Sequence, residues 1–106
     1  MPGASRVVSV DPANGANVEV ISDLSSAIDV LYWQSASGDQ FFVLEYSTNM
    51  AATPPAPGQL LLYKPSGTIV LANQLTAPSS MAIQAGSGSL FFTDRTDGLI
   101  LRIPLP

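Results

Sequence analysis

The sequence predicts an all-β fold built from antiparallel four-stranded units, with about nine short strands and little helix. Short apolar runs alternate with turn signals along the chain, most clearly at residues 58–95, which contain GQLLLYKPSG, TIVLANQL, TAPSSMAIQAGSG and SLFFTDR. Residues 60–62 and 90–92 are apolar at consecutive positions, which is typical of strands covered on both faces. We therefore expect stacked sheets rather than a single sheet with one face in water.

The first half of the chain contains these runs in a shifted order. RVVSV (6–10) and NVEVI (17–21) predict two strands joined by the turn DPANG (11–15), because proline and glycine supply conformations suited to a turn. A third strand is predicted for AIDVLYW (27–33) and a fourth for QFFVLEY (40–46).

The second half contains a complete unit and the start of another. PSG at residues 65–67 separates QLLLY from TIVLA, and such a cluster between two apolar runs predicts a hairpin. A glycine-rich loop at 85–88 separates SSMAIQ from SLFFTD. After a turn at 95–98, LILRI at 99–103 matches QLLLY. We expect a third copy of the unit to begin there and to stop after its first strand.

Corresponding residues in the two halves recur about 50 positions apart, which is about the length of one propeller blade. Pro12 in the first turn matches Pro65 in the later one, and Glu45 at the end of one strand matches Asp94 at the end of another. The spacing drifts by only a few residues, as changes in loop length would cause. The chain therefore contains an internal repeat, with about two blades in permuted phase.

We divide the chain, residues 1–106, into two repeats within a single domain. The first repeat covers 1–57, and the second covers 58–106 with the start of a third. The first repeat ends in a long loop, STNMAATPPAP at 47–57, which is rich in proline and has no periodicity. Loops on a rigid scaffold often carry recognition, so this loop is either a binding loop at the rim or an insertion stiffened by proline.

Composition excludes several classes of protein. Of 106 residues, 46% are hydrophobic and 11% charged, which fits a globular domain and not a disordered tail. The net charge is −4 and the basic residues are scattered, so no nucleic-acid surface is predicted. No run is long enough to span a bilayer, and MPGASRVVSV lacks the pattern of a signal peptide. We expect a soluble chain; without cysteine, neither location nor redox compartment is predicted.

Three short motifs carry a resemblance to known repeats. A strand ends in an acidic residue in FFVLEYS and LFFTDRT. A leucine-rich strand that follows glycine precedes proline in GQLLLYKP and GLILRIPLP, and LTAPSSMAIQ leads into a short strand. These motifs resemble the NHL-type and SMP-30-like six-bladed β-propellers, and most closely the bacterial propeller family associated with scytonemin gene clusters. The resemblance covers nearly the whole chain. It implies a blade whose innermost strand is the third strand of our unit. The chain departs from the family in being too short to close a ring alone.

The acidic strand ends are the first candidates for chemistry. The resemblance to SMP-30-like lactonases implies a metal site built from Glu45 or Asp94, with Asn49 or Asn73 nearby, since hard cations bind several oxygens at once. The structural alternative is that each carboxylate accepts hydrogen bonds from backbone amides of the next turn. Without histidine or cysteine, histidine-based triads, the usual zinc sites and thiol chemistry are excluded.

Aromatic residues and the long loop are the candidates for ligand binding. Trp33, with Tyr32 and Tyr46, would offer an aromatic platform to a sugar or another flat small molecule, although packing between blades explains the same residues. Asn49 and Met50 lie in the loop and complete this candidate set.

These observations favour a non-enzymatic binding or scaffold module that completes a β-propeller by self-association, with no cofactor. Three copies of about two blades give six blades, so a homotrimer is expected. Strand edges invite pairing with other chains, and here the last strand has no lysine and is followed by Pro104, while the first has only Arg6. The alternatives are a metal-dependent hydrolase of the lactonase kind, or a fragment of a longer propeller protein.

Overall fold

A computed structural model describes residues 3–35, 38–84, 86, 88–96 and 98–105. All of the regular structure in these ranges is antiparallel β-strand, and no helix is found there. The nine strands are β1 (Ser5–Val10), β2 (Asn17–Leu24), β3 (Ala27–Ser35), β4 (Gly38–Glu45), β5 (Gly58–Lys64), β6 (Gly67–Leu75), β7 (Pro78–Gln84), β8 (Ser89–Asp94) and β9 (Leu99–Pro104). The predicted all-β class is confirmed. Parts of the predicted loops at 85–88 and 95–98, namely Ala85, Ser87 and Asp97, lie outside the described residues.

The strands form three sheets of different size. β1 and β2 form a two-stranded sheet, here called the first hairpin. β3, β4, β5 and β6 form the middle sheet, and β7, β8 and β9 form the third sheet, each in sequence order. Only the middle sheet therefore has four strands within the described part of the chain. The prediction that residues 58–95 form one four-stranded unit is wrong, because β5 and β6 pair with the earlier strands of the middle sheet while β7 and β8 begin the third.

Two predicted turns build the hairpins. Gly67, at φ 143°, closes the turn between β5 and β6 in a conformation that favours glycine. In the first hairpin, the N–H of Gly15 donates to the carbonyl of Asp11 at 2.8 Å, and the Asp11 side chain accepts the N–H of Ala13 at 2.9 Å. The aspartate and the glycine thus hold the chain reversal between β1 and β2.

The internal repeat extends to the register of strand pairing. β1 and β2 pair Val8 with Glu19, and β5 and β6 pair Leu61 with Val70 at the matching place. Next to each of these pairs, the pairing register skips one residue of the second strand. Both hairpins therefore carry a bulge at the same position. The first hairpin is therefore a structural copy of β5 and β6.

The third sheet copies the first three strands of the middle sheet in the same way. In the middle sheet, Leu31, Phe42 and Leu62 pair in one row across three neighbouring strands. The corresponding row in the third sheet is Ala82, Phe91 and Arg102. We number the four strands of the middle sheet one to four in chain order. The first hairpin then corresponds to positions three and four, and the third sheet to positions one to three.

The three sheets stack face to face, with the middle sheet between the other two. Phe42 and Leu44 pack with residues of the third sheet, whereas Val43 packs with Ile21 and Leu24 of the first hairpin. Residues 42–44 are all 0% exposed. Consecutive apolar residues in β4 are thus covered on alternate faces, and each buried side chain of this size contributes about 1.5–3 kcal/mol. The run at 60–62 in β5, for which the sequence predicted cover on both faces, is buried in the same way.

The strands in position one, β3 and β7, lie at one edge of their sheets and next to each other. The backbone N–H of Met81 in β7 donates to Oδ2 of Asp29 in β3 at 2.8 Å. This bond joins the two sheets along that edge.

Candidate functional site

A buried carboxylate ends the second strand of each larger sheet. Glu45 ends β4 and is 3% exposed. Its Oε2 accepts the backbone N–H of Ser25 at 2.6 Å, and its Oε1 accepts the side-chain amide of Gln59 at 2.6 Å. Ser25 belongs to the link between β2 and β3, so Glu45 ties the end of one strand to the chain entering its own sheet.

Asp94 ends β8 and makes the matching contacts in the third sheet. Its Oδ2 accepts the N–H of Thr76 and its Oδ1 the N–H of Ala77, both at 3.0 Å. Both donors lie in the link between β6 and β7. Because a buried acceptor must be paired, these bonds offset the cost of removing the carboxylate from water.

A second bond completes each of these arrangements, which we call the clamps. The residue after the carboxylate donates its N–H back to the same link: Tyr46 to the carbonyl of Ser26, and Arg95 to that of Ala77, both at 2.9 Å. The structural alternative predicted donors in the turn that follows each carboxylate. The amides observed belong instead to the link that precedes the first strand of the sheet.

The backbone adopts an unusual conformation at matching positions shortly before each link. Asp23 and Gln74 have φ of 58° and 57°, in the left-handed region that non-glycine residues rarely adopt. Each lies just before the last residue of a strand in position four. The clamps bind the chain two and three residues after each of these positions.

The geometry gives the two carboxylates structural partners and does not gather metal ligands around them. All four carboxylate oxygens accept hydrogen bonds from protein donors. Glu45 and Asp94 belong to separate clamps in separate sheets. Across the described ranges, no group of three or more His, Cys, Asp or Glu is placed to hold a metal ion. Asn73 lies exposed on β6, and Asn49 belongs to the long loop.

The long loop at 47–57 folds back on itself. The buried hydroxyl of Ser47 donates to the carbonyl of Ala56, and the N–H of Thr48 donates to the carbonyl of Pro57 at 3.0 Å. The carbonyl of Asn49 accepts the N–H of Ala56 at 3.0 Å. Its two ends are thus bonded together, which makes it a compact surface loop.

Within this loop, the two predicted binding residues have different roles. The Asn49 side chain accepts the N–H of Ala51 at 3.0 Å, a local turn contact. Met50 is exposed and presents its side chain to solvent.

The aromatic residues do not form one platform. Trp33 is half-buried and stacks on Phe42 with ring centroids 5.8 Å apart. Tyr32, its neighbour on β3, lies on the other face, because successive strand residues alternate; its ring lies 5.5 Å from that of Phe41. Tyr46 is half-buried at the clamp of the middle sheet.

Sequence reasoning missed a cleft of about 430 Å³ between the first hairpin and the middle sheet. Val43, Leu61 and Tyr63 give it an apolar lining, while Glu45 and Gln59 add polar groups. These residues come from β4 and β5, and the opposite wall comes from the end of β2. No local motif signals a site whose walls belong to different sheets. Such a cleft suits a small ligand with one apolar and one polar side.

Together, the fold and these sites define an all-β repeat protein of stacked antiparallel sheets joined by carboxylate clamps. Comparison with protein-family models, with curated proteins and with solved structures finds no match. No helix in the described ranges is long and apolar enough to cross a membrane.

Proposed function

We propose that the chain is a non-enzymatic scaffold and binding module that completes a β-propeller by associating with further copies of itself. The observation that carries this proposal is the difference between the three sheets. The middle sheet has four strands, whereas the third sheet has the first three and the first hairpin the last two. The sheets at the two ends thus hold strands that complement each other.

The strand edges support association. Within the described residues, β1 and β9 are each paired on one side only. The free edge of such a strand presents backbone N–H and C=O groups that can pair with another chain. β9 carries no lysine, and Ile100 near its start is 74% exposed. Of the residues in β9, only Arg102 and Pro104 are of the charged or proline kinds that commonly prevent such pairing.

The outer faces of the end sheets add apolar surface. Val8 and Val10 of the first hairpin are exposed, although they occupy the positions that Leu61 and Tyr63 hold in the middle sheet. Leu61 is buried and Tyr63 half-buried there, because the first hairpin covers them. A neighbouring copy would cover the strand in this position in the same way.

A ring of three copies satisfies these contacts best. Each copy contributes about two blades, so three give about six, within the roughly four to eight blades at which propellers close. The contact joins the end of one copy to the beginning of the next, and such a head-to-tail contact must close by rotation or continue as a fibre.

The assembled ring would carry its ligand sites on the loops and clefts described above. Trp33, Tyr46, Asn49 and Met50 stay the predicted binding residues for a small molecule or a carbohydrate. The cleft beside Glu45 is a second candidate, because its walls belong to two adjacent sheets.

Size-exclusion chromatography with light scattering tests the association. We expect a mass near three times the 11.1 kDa chain at micromolar concentration. A stable monomer would contradict the proposal. It would favour instead the alternative that these edges are paired by further segments of a longer propeller protein.

A further inference from the structure

We infer that β1 is a displaceable strand: on assembly, β9 of a second copy replaces it beside β2. This inference rests on the proposed self-association and specifies its contact. It follows from a competition between two strands for one position in the repeated sheet.

β1 and β9 both correspond to β5 of the complete middle sheet. Leu61 of β5 has one partner on β4 and another on β6. Leu101 of β9 has a partner on β8, as Leu61 has on β4. Val8 of β1 has a partner on β2, Glu19, as Leu61 has on β6. Among the described residues, β9 has no neighbouring strand in position four, and β1 has none in position two. A complete sheet assembled from two copies has room for only one of them.

β2 is the strand that the free edge of β9 fits. It copies β6, the natural neighbour of a strand in position three, and its register with β1 repeats that of β6 with β5. The middle-sheet clamp holds the link after β2 through the bond from Ser25 to Glu45. β2 therefore keeps a set place beside the middle sheet, and the position next to it belongs either to β1 or to an incoming β9.

β1 is the weaker occupant of that position. Its strand is mostly exposed, and among its side chains Val7 packs against the buried cluster beneath it. Its ion pair with β2, Arg6 to Glu19 at 3.9 Å, is exposed on both sides and adds little.

β9 is the stronger occupant. It is joined to β8 by a ladder of six residue pairs without a register shift. It presents Ile100, Leu101 and Ile103 where β1 presents Val7, Val8 and Val10. Larger apolar side chains bury more surface at the same positions, so exchange favours β9.

The repeat also predicts the register of the new pair. In the middle sheet, Leu62 pairs with Ile69. The matching residues are Arg102 of one copy and Val18 of the next. In the free chain Val18 pairs instead with Ser9 of β1. The exchange therefore replaces one defined partner of Val18 with another.

The first experiment locks β1 in place. In the double variant S9C/V18C, two directly opposed residues carry the only thiols of a chain that otherwise has no cysteine. Opposed residues of antiparallel strands lie about 4.5–5.5 Å apart between Cα atoms, which suits a disulfide. We expect the oxidised protein to be folded by circular dichroism and monomeric by light scattering. Addition of dithiothreitol should restore the assembly, which makes the reduced protein its own control.

The second experiment traps the exchanged pair. Oxidation of assembled R102C/V18C should link chains into covalent multimers on a non-reducing gel. The matched variant R102C/E19C, shifted by one residue so that the thiols point to opposite faces, should link far less. All three substituted positions are exposed, so both variants should fold alike.

The results separate the two proposals. A monomeric unmodified protein overturns both self-association and strand exchange. If the unmodified protein assembles and oxidised S9C/V18C assembles equally well, strand exchange is wrong while the scaffold proposal stands. Failure of R102C/V18C to link assembled chains, or equal linking by R102C/E19C, also overturns the exchange.

Discussion

Asp94 and Glu45 hold the links between sheets with side chains of different length. Asp94 accepts two link amides, whereas Glu45 accepts one link amide and the side chain of Gln59. Both are buried, so their stabilisation depends on the full set of donors. Because the surrounding backbone contacts repeat, we assign these carboxylates first to the architecture of the repeat.

Asp94→Asn should lower the free energy of unfolding by about 1.5–3 kcal/mol, the range for hydrogen bonds to charged groups. The amide replaces one acceptor with a donor, which would then face the N–H of Thr76 or Ala77. Urea unfolding at a constant protein concentration measures the loss. Asp23→Asn is the control, because Asp23 is exposed and asparagine tolerates its left-handed backbone.

The same carboxylates test the hydrolase alternative. Calcium or zinc should leave the melting temperature of the unmodified protein unchanged in a thermal-shift titration. A rise that Glu45→Gln abolishes would support a metal site at Glu45 and contradict a purely structural role.

Gly58 begins β5 where the chain passes close to the middle-sheet clamp. A Cβ at this position would overlap the carbonyl oxygens of Glu45 and Tyr46 and would lie 2.9 Å from Cγ of Pro78. Two of these neighbours are backbone atoms. The carbonyl of Glu45 belongs to β4, which pairs with β5, so it cannot move without disturbing that pairing.

Gly58→Ala should therefore destabilise the fold by at least the 1–3 kcal/mol typical of overpacking. Thermal unfolding followed by circular dichroism checks this value. Gly86→Ala is the matched control, since a Cβ there meets no atom within 4 Å. Equal melting temperatures for the two variants would contradict the close approach at Gly58.

Tyr32 has a pH-dependent contact. Its hydroxyl donates to Oδ1 of Asp39 at 2.7 Å, and this hydrogen bond to the carboxylate raises the pKa of the phenol above its ordinary value of 10.0. The contact stabilises the protonated phenol in the folded state. Its contribution is complete below the pKa of the unfolded chain and is lost as the pH rises through the higher folded pKa.

Ultraviolet titration of the phenolate should therefore show a component that ionises above pH 10.0 and that Tyr32→Phe removes. Asp39→Asn should bring this component back toward the ordinary value, because the negative acceptor is lost. An unchanged titration in Asp39→Asn would show that Asp39 is not the cause.

At the scale of elements, equivalent strands differ in what covers them. Ile100 of β9 occupies the place of Leu60 in β5, which is 0% exposed because the third sheet packs over it. The described chain has no sheet beyond β9 to do the same for Ile100. The free chain thus exposes a residue that the repeat places in an interior position.

Ile100→Asp should separate association from folding. The side chain is already in water in the free chain, so the monomer should keep its stability within about 0.5 kcal/mol. Association should be lost, because the charge would enter an apolar contact. Light scattering and thermal unfolding measure the two effects. Met50→Asp, at an exposed residue on the loop, should leave the mass unchanged; unchanged mass in both variants would place the interface elsewhere.

At the scale of the whole molecule, folding and association should be linked. A chain that is stabilised by neighbouring copies unfolds at a temperature that rises with protein concentration. We expect the melting temperature to increase over a hundredfold range of concentration. In Ile100→Asp it should stay constant, and a constant value in the unmodified protein would indicate a self-sufficient monomer.

The sequence by itself determined the all-β class, the strands and the repeat, because those features depend on local patterns. Turn residues such as Asp11 and Gly67 and alternating or continuous apolar runs act over a few neighbours. The consecutive apolar residues 60–62 of β5 correctly predicted that both faces of that strand are covered.

Only the tertiary structure decided which groups meet across the chain. The partners of Asp94 lie 17 and 18 residues earlier, and the walls of the cleft come from separate sheets. The exposure of Ile100 and the burial of Leu60 follow from the presence or absence of a covering sheet, although both lie in apolar strands of the same repeat. Burial and pairing depend on what packs against a strand, and one strand's own residues do not encode that.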